Sequence, residues 1–185
     1  MKLLILDRDG VINHESPEFI KSPEEWLPIK GSLEAIARLS QAGYDIVIIT
    51  NQSGVGRGLF SADTLGQIHV RMIDYIRQLG GKIQSILFCP HTPEDNCSCR
   101  KPKDGLYQVL AQRLNVSFQD VISVGDSLRD LQAAQLAGAT PVLVRTGNGR
   151  KTAKIINKND ELKLSDTATF DNLAHVADAI LNDQI

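Results

Sequence analysis

Short apolar segments alternate with helical patterns along this chain, and that alternation restricts the fold more than any other feature. Lys2 to Leu6, Tyr44 to Ile49 and Val121 to Val124 are short apolar runs typical of strands buried on both faces. Helical patterns separate them, which predicts right-handed crossovers and a mostly parallel sheet. The other predicted strands are Ile83 to Phe88, Pro141 to Val144 and an edge near Phe170, and the predicted helices cover 33–39, 61–79, 104–114, 128–137 and the stretch up to Leu181.

The length and the spacing of these segments predict one α/β domain with a doubly wound sheet, covering residues 1–185. A chain of 185 residues is close to the usual size of a domain and buries roughly 70% of its unfolded surface. Only the segments from Val11 to Lys30 and from Cys89 to Cys99 are placed to shape a ligand pocket, so we expect no large cap domain. The polar segment from Gly147 to Ser165, rich in Lys and Asn, is predicted to be a loop.

The charge and hydropathy of the chain argue against several classes of protein. It carries 20 basic and 22 acidic residues, a formal net charge of −2, so no basic surplus points to a nucleic-acid partner. No apolar run approaches the roughly 20 residues that cross a bilayer, and the apolar start is too short for a signal-peptide core. We therefore expect a cytoplasmic protein without nucleic-acid or membrane partners, and nothing in the sequence requires more than a monomer.

Polar residues stand where the predicted strands end. Asp7 and Asp9 follow the first strand, Thr50 follows the second and Asp126 follows the fourth. Ligands of such sheets bind beyond the carboxyl ends of the strands, so we expect these groups to converge, together with Lys101. Three close carboxylates repel one another unless a cation lies between them, and oxygen ligands favour Mg²⁺. With a hydroxyl and an ammonium group nearby, the set suits phosphoryl transfer.

A cluster of cysteines predicts a second metal site. Cys89, His91, Cys97 and Cys99 form a C-x-H-x5-C-x-C pattern, and an odd cysteine count is a poor disulfide framework. Three thiolates and one imidazole match a closed tetrahedral zinc site, which is structural because no position is open to water. Such a loop would hold the following pair, Arg100-Lys101, over the phosphate pocket.

Four segments together resemble the ordered motifs of the haloacid dehalogenase superfamily: Asp7 to Gly10, Thr50 to Gly54, Arg100 to Pro102 and Gly125 to Asp130. The resemblance covers about residues 1 to 150 and implies a Rossmann-like sheet. The subgroup that the chain resembles acts on heptose bisphosphate or on histidinol phosphate and has a zinc loop similar to Cys89 to Cys99.

This resemblance implies a Mg²⁺-dependent phosphoric monoester hydrolase that works through an aspartyl-phosphate intermediate. Asp7 would be the nucleophile, and Asp9 would act as general acid and then as general base. Thr50 and Lys101 would stabilise the transferring phosphoryl group. Asp7, the Asp9 carbonyl and Asp126 would hold Mg²⁺. The substrate contacts that the resemblance implies are Glu15, Asn51, Gln52, Ser53, Arg100 and Ser127, the last standing where several members have a basic residue.

Three functional hypotheses follow. Ser53 to Gly58, Gly105 to Tyr107 and Val144 to Gly147 look more like the heptose enzymes, so the leading hypothesis is removal of the 7-phosphate from D-glycero-D-manno-heptose 1,7-bisphosphate. This reaction belongs to nucleotide-heptose and lipopolysaccharide precursor synthesis. The alternative substrate is histidinol phosphate, whose cation would require a carboxylate such as Glu15. The third hypothesis is a zinc-stabilised binding module, which would release no phosphate from any ester.

Overall fold

The computed structural model describes residues 2–185 and contains one sheet of six strands. All neighbouring strands are parallel, and their order across the sheet is β3-β2-β1-β4-β5-β6. The predicted α/β class and the doubly wound, mostly parallel sheet are confirmed. The strands are β1 Lys2–Leu6, β2 Tyr44–Asn51, β3 Ser85–Cys89, β4 Ile122–Gly125, β5 Thr140–Val144 and β6 Ala168–Phe170.

Helices connect the strands and cover both faces of the sheet. Short 3-10 turns occupy Pro23–Glu25, Pro93–Asp95 and Asp160–Leu162. Among the described residues, no helix combines the length and the apolar character that a membrane crossing requires. The helices are α1 Ser32–Gln41, α2 Ser53–Gly56, α3 Ala62–Gln78, α4 Gly105–Leu114, α5 Leu128–Ala137, α6 Gly149–Ile156 and α7 Leu173–Leu181.

Strands β1, β2 and β3 are largely apolar because each contributes to two hydrophobic cores. Side chains alternate between the two faces of a strand, so Leu4 and Leu6 of β1 face one core and Leu3 and Ile5 the other. The first core lies against α1, α3 and α7. The second lies against α4 and α5. Burial on both faces explains why the strands read as continuous apolar runs rather than alternating ones.

The strand order positions the ligand site. Strand β1 lies between β2 and β4, so the chain leaves it in opposite directions on its two sides. This reversal opens a crevice beyond the carboxyl ends of the central strands. The polar residues that follow β1, β2 and β4 therefore meet at one place.

The predicted loop from Gly147 to Ser165 is wrong, because this segment contains α6 and the 3-10 turn Asp160–Leu162. Helix α6 buries Gly149, Thr152 and Ile156, which lie on one face of the helix. The loop prediction followed the polar, Lys- and Asn-rich composition of the segment and overlooked the amphipathic pattern of α6. The four-residue helix α2, directly after β2, was also not predicted.

Candidate active site

Lys101 lies at the centre of a buried group of charges. Its Nζ is 3.0 Å from Oδ1 of Asp7 and 2.8 Å from Oδ1 of Asp130, and it donates a hydrogen bond to the carbonyl of Ile49 at 2.7 Å. Lys101 is only 2% exposed. The pKa of Lys101 lies above its ordinary value, since Asp130 and Asp7 outweigh the opposing effect of burial. The ammonium group is therefore a permanent cation beside the Asp7 carboxylate.

Three buried carboxylates converge here, and one of them is not the residue expected. Oxygens of Asp7, Asp126 and Asp130 all lie within 4.8 Å of one another, whereas the carboxylate of Asp9 is not part of this group. Burial raises the pKa of Asp7 to about 6, against the effect of Lys101. Burial, followed by the charges of Asp130 and Asp7, raises the pKa of Asp126 to about 8. Burial and the neighbouring carboxylates thus make it unfavourable for Asp7 and Asp126 both to be ionised without a nearby cation.

The surroundings of Asp126 fit a small hard cation. The backbone N–H of Asn148 donates to Oδ2 of Asp126 at 2.7 Å, which orients the carboxylate. Gly10 and Gly147 have φ of 80° and 54°, and a Cβ at either position would overlap that carboxylate. Two close carboxylates with raised pKa values in a narrow backbone cradle are a donor set that suits Mg²⁺.

The carboxylate of Asp9 is held by three side chains. Arg8 Nη2 donates to both of its oxygens, at 2.9 and 3.0 Å. Asn13 donates to Oδ1 and Gln52 to Oδ2, both at 2.8 Å. Burial alone would raise the pKa of Asp9, but Arg8 and the hydrogen bonds keep it below its ordinary value. Asp9 thus lies in a preset orientation apart from the other carboxylates.

Residues at the end of β2 and directly after it orient neighbouring groups of the site. The side chain of Asn51 accepts from the N–H of Lys101 and donates to its carbonyl, both at 3.1 Å, so it fixes the backbone of Lys101. Gln52 donates to the Thr50 hydroxyl at 3.0 Å. Ser53 begins α2 and is buried. Asn51 and Gln52 therefore orient neighbouring groups, a function that the sequence did not indicate.

A cavity of about 310 Å³ opens over these groups. It brings together nearly all the predicted site residues, but Asp126 and Ser127 are not among its lining residues. The hydroxyl of Ser127 instead donates to Asp130, and the two residues form the capping box of α5. The predicted site residues that line the cavity are Asp7, Asp9, Glu15, Thr50, Asn51, Gln52, Ser53, Arg100 and Lys101.

Basic side chains that were not predicted as substrate contacts also line the cavity. Arg57 and Arg129 line it together with Arg100. Burial, followed by the charges of Arg129 and Arg57, lowers the pKa of Arg100, which indicates that the three guanidinium groups are near one another. Nε of Arg129 is buried and has no hydrogen-bond partner among residues 2–185. Arg57, Arg100 and Arg129 thus form a basic wall of the cavity, which can bind an anion.

The cysteine loop has the predicted geometry. Four ligand atoms, from Cys89, His91, Cys97 and Cys99, lie within 4.8 Å of one another, and the Sγ–Sγ distances are 3.3 to 3.6 Å. A tetrahedral zinc site with Zn–S bonds of about 2.3 Å places its sulfurs about 3.7 Å apart, so the donors fit Zn²⁺. Arg100 donates to the carbonyl of His91 at 3.1 Å, which ties this loop to the basic wall.

Comparisons with known proteins agree with this site. The family model described as HAD-hydrolase-like matches residues 98–178. A D-glycero-β-D-manno-heptose-1,7-bisphosphate 7-phosphatase from Bordetella bronchiseptica is 57% identical over 152 residues, which cover 82% of this chain and 85% of that protein. The protein of the same name from Neisseria meningitidis serogroup A is 46% identical over 183 residues, 99% of this chain and 96% of that protein.

A solved structure gives the same result. The crystal structure of D,D-heptose 1,7-bisphosphate phosphatase from B. bronchiseptica, complexed with magnesium and phosphate, matches with a TM-score of 0.94 and 50% identity, covering 99% of both chains. Both the fold and the sequence are thus shared over almost the full length. The chain therefore belongs to the haloacid dehalogenase (HAD) hydrolase family, in the group that contains these heptose-bisphosphate phosphatases.

Proposed function

We propose that this chain is a Mg²⁺-dependent phosphatase that removes the 7-phosphate from D-glycero-β-D-manno-heptose 1,7-bisphosphate in nucleotide-heptose and lipopolysaccharide precursor synthesis. The observation that carries the proposal is the buried 3.0 Å contact between the Asp7 carboxylate and the Lys101 ammonium, at a cavity with a basic wall. The names of relatives that are 46% or more identical support the substrate. They do not favour histidinol phosphate.

In the first step, a carboxylate oxygen of Asp7 attacks phosphorus and forms the aspartyl phosphate. The bond between phosphorus and O7 of the sugar breaks, and its electron pair leaves on O7. The donors around Asp9 lower its pKa in the free site, but a phosphate dianion beside it acts in the opposite direction and favours the protonated form. Protonated Asp9 donates its proton to that oxygen, so the sugar departs as an alcohol. Lys101 and the hydroxyl of Thr50 stabilise the negative charge on the phosphoryl oxygens during transfer.

In the second step, Asp9 has become a carboxylate and takes a proton from water. The water oxygen attacks phosphorus, the bond between phosphorus and Asp7 breaks, and inorganic phosphate leaves. Asp7 is again a carboxylate and Asp9 is again protonated, so the cycle closes. Asp7 and Asp126, with the carbonyl of Asp9, would hold Mg²⁺, which neutralises charge on the phosphate.

The basic wall accounts for a bisphosphate substrate. While one phosphate lies against Asp7 and Lys101, the second would meet Arg57, Arg100 and Arg129. Guanidinium groups bind phosphate through paired, charge-assisted hydrogen bonds. The amine of histidinol phosphate would instead bring a cation towards three cations.

We also propose that residues 1–185 act as one domain, and as a cytoplasmic monomer on a free sugar phosphate without nucleic acid or membrane. A single sheet running through the described residues and the absence of a basic surplus support this. Cys89, His91, Cys97 and Cys99 would hold a structural Zn²⁺. Light scattering of the purified protein tests the monomer, because a dimer would double the mass of 20.3 kDa.

The test of function is a comparison of kcat/KM with Mg²⁺ on the β and α anomers of the bisphosphate and on histidinol phosphate. We expect the β bisphosphate to exceed histidinol phosphate by at least about 100-fold, which is about 2.7 kcal/mol of transition-state discrimination. Equal or better turnover of histidinol phosphate would reject the substrate. Absence of Mg²⁺-dependent phosphate release from every ester would favour the binding-module hypothesis.

The test of mechanism is Asp7→Asn, which keeps the shape of the side chain and removes the nucleophile. We expect turnover to disappear while the protein remains folded. Asp63→Asn, at an exposed carboxylate in the first turn of α3, is the matched control and leaves activity unchanged. Turnover by Asp7→Asn at the rate of this control would reject the aspartyl-phosphate mechanism.

A further inference from the structure

A buried histidine touches the side chain that holds Asp9. His69, on α3, is 8% exposed, and its Nε2 lies 3.3 Å from Nη1 of Arg8. The other edge of the same guanidinium binds the Asp9 carboxylate through Nε and Nη2. His69 and Asp9 thus bind opposite edges of one planar group, and Arg8 itself is 1% exposed.

His69 has the properties of a hydrogen-bond acceptor in this contact. Burial, followed by the charge of Arg8, lowers the pKa of His69 to about 4, so the ring is neutral at pH 7. A guanidinium is only a donor, so the lone pair of Nε2 is the complementary partner of Nη1. The ring packs edge-on against Phe88, with centroids 6.2 Å apart, which holds it in place.

His69 is held more rigidly than the side chain of Arg8 that it contacts. Helix α3 buries Ile68, Met72 and Ile76 in the core on either side of His69. Arginine has several rotatable bonds, and its direction must be set by partners. Without Nε2, the Nη1 group would be buried with an unpaired N–H, which is costly, so the guanidinium would turn to find another acceptor.

We infer that His69 is a positioning residue for the reaction: through Arg8 it holds the carboxylate of Asp9 in the orientation from which Asp9 exchanges a proton with the leaving group. This inference rests on the proposed general-acid role of Asp9. It adds a residue on α3 that lies outside the four motifs and does not line the cavity. Catalytic geometry tolerates displacements of only about half an ångström, so a loosened Arg8 affects the chemical step.

A leaving-group comparison separates positioning from a merely structural role. An alkyl phosphate such as the sugar ester needs a proton on the departing oxygen, whereas 4-nitrophenyl phosphate releases a stable anion and depends on the acid much less. The parameter kcat/KM covers the steps up to formation of the aspartyl phosphate and excludes its hydrolysis, in which Asp9 acts on both substrates alike. Loss of the orientation of Asp9 therefore lowers kcat/KM for the first substrate selectively. General damage to the fold or to the Asp7 site slows both.

The experiment compares His69→Leu, His69→Gln and wild type with both substrates at saturating Mg²⁺. For His69→Leu we expect kcat/KM on the bisphosphate to fall by about tenfold or more, because acid catalysis contributes 10²- to 10⁴-fold. The kcat/KM on 4-nitrophenyl phosphate should stay within about threefold, whereas kcat falls on both substrates wherever hydrolysis of the shared intermediate limits turnover. In His69→Gln, the amide oxygen can accept from Arg8 near the position of Nε2, so we expect most of the selective loss to disappear.

Two outcomes would overturn the inference: equal losses of kcat/KM on both substrates, or a His69→Gln protein as impaired as His69→Leu. If His69→Leu does not fold, His69→Asn replaces it, because the shorter amide reaches only the position of Nδ1. The selective loss is expected there too, and its absence rejects the inference.

A failure of the proposed function can be distinguished from a failure of this inference. If wild type does not use the heptose bisphosphate, the comparison is made with whichever alkyl phosphate it hydrolyses, and the inference is tested unchanged. If Asp9→Asn shows no selective loss on the alkyl ester, the acid role of Asp9 is rejected, and the inference with it.

Discussion

Lys101 and Asp130 form a buried ion pair, with Nζ 2.8 Å from Oδ1, that joins the third motif to the first turn of α5. The other oxygen of Asp130 accepts from the N–H of Ser127 at 3.0 Å. Burial alone would raise the pKa of Asp130, but Lys101 and Arg129 hold it below its ordinary value. Asp130 thus orients the lysine that contacts Asp7 and at the same time caps the helix that follows the metal site.

Asp130→Asn should destabilise the protein strongly. The change keeps the volume but leaves Lys101 with one buried counter-charge instead of two, and breaking a buried pair costs about 3–5 kcal/mol. Urea unfolding measures the difference. Asp120→Asn, at an exposed aspartate, is the control and should stay within about 0.5 kcal/mol of wild type. An equally small effect of Asp130→Asn would show that the pair is unimportant for stability.

We expect the stability and the activity of the protein to depend on zinc bound by the cysteine loop. Purified protein should contain about one zinc per chain, and His91→Ala should lose it, because three thiolates then remain. We expect a lower thermal midpoint and a higher KM, since Arg100 is bound to the carbonyl of His91. His175→Ala, at an exposed histidine, should retain zinc and activity. Full zinc content in His91→Ala would contradict the ligand assignment.

Arg129→Met should impair binding of the bisphosphate more than that of a monophosphate. A charge-assisted hydrogen bond is worth about 1.5–3 kcal/mol, so we expect KM for heptose 1,7-bisphosphate to rise roughly 10- to 100-fold. KM for heptose 7-phosphate should change much less, because its only phosphate lies at Asp7. Arg113→Met, on the exposed face of α4, is the control. Equal effects on both substrates would place the second phosphate elsewhere.

The lowered pKa of His69 also predicts that the free energy of unfolding depends on pH. Its pKa in the folded protein is lowered to about 4, so between about pH 6.5 and pH 4 the unfolded chain binds a proton that the folded chain does not. The free energy of unfolding therefore falls as the pH drops through this range. From pH 7 to pH 5, wild type should lose about 2 kcal/mol more than His69→Gln in urea unfolding. Parallel losses in the two proteins would contradict the lowered pKa.

Most of the chemical groups of the site could be located from the sequence because the motifs adjoin strands. Asp7, Thr50 and Asp126 follow buried apolar runs, and parallel strands bring their carboxyl ends to one edge. Spacing also sufficed for the zinc ligands, since four donors within eleven positions cannot lie far apart. Helix α6 was missed because the polar composition of its segment was interpreted as a loop, although the helix itself is strongly amphipathic. Only the structure shows its close approach to the sheet at Gly149, where a Cβ would overlap the carbonyl of Val144.

The sequence by itself determined the fold class, the identity of most chemical groups and the zinc pattern, because these depend on local periodicity and spacing. Only the tertiary structure decided which groups touch. In the folded chain, Asp130 rather than Asp9 supplies the third converging carboxylate, and Ser127 caps a helix. Arg57 and Arg129 lie in the basic wall beside Arg100. The direction of a side chain depends on neighbours distant in the chain, and those neighbours are defined only once the sheet order and helix packing exist.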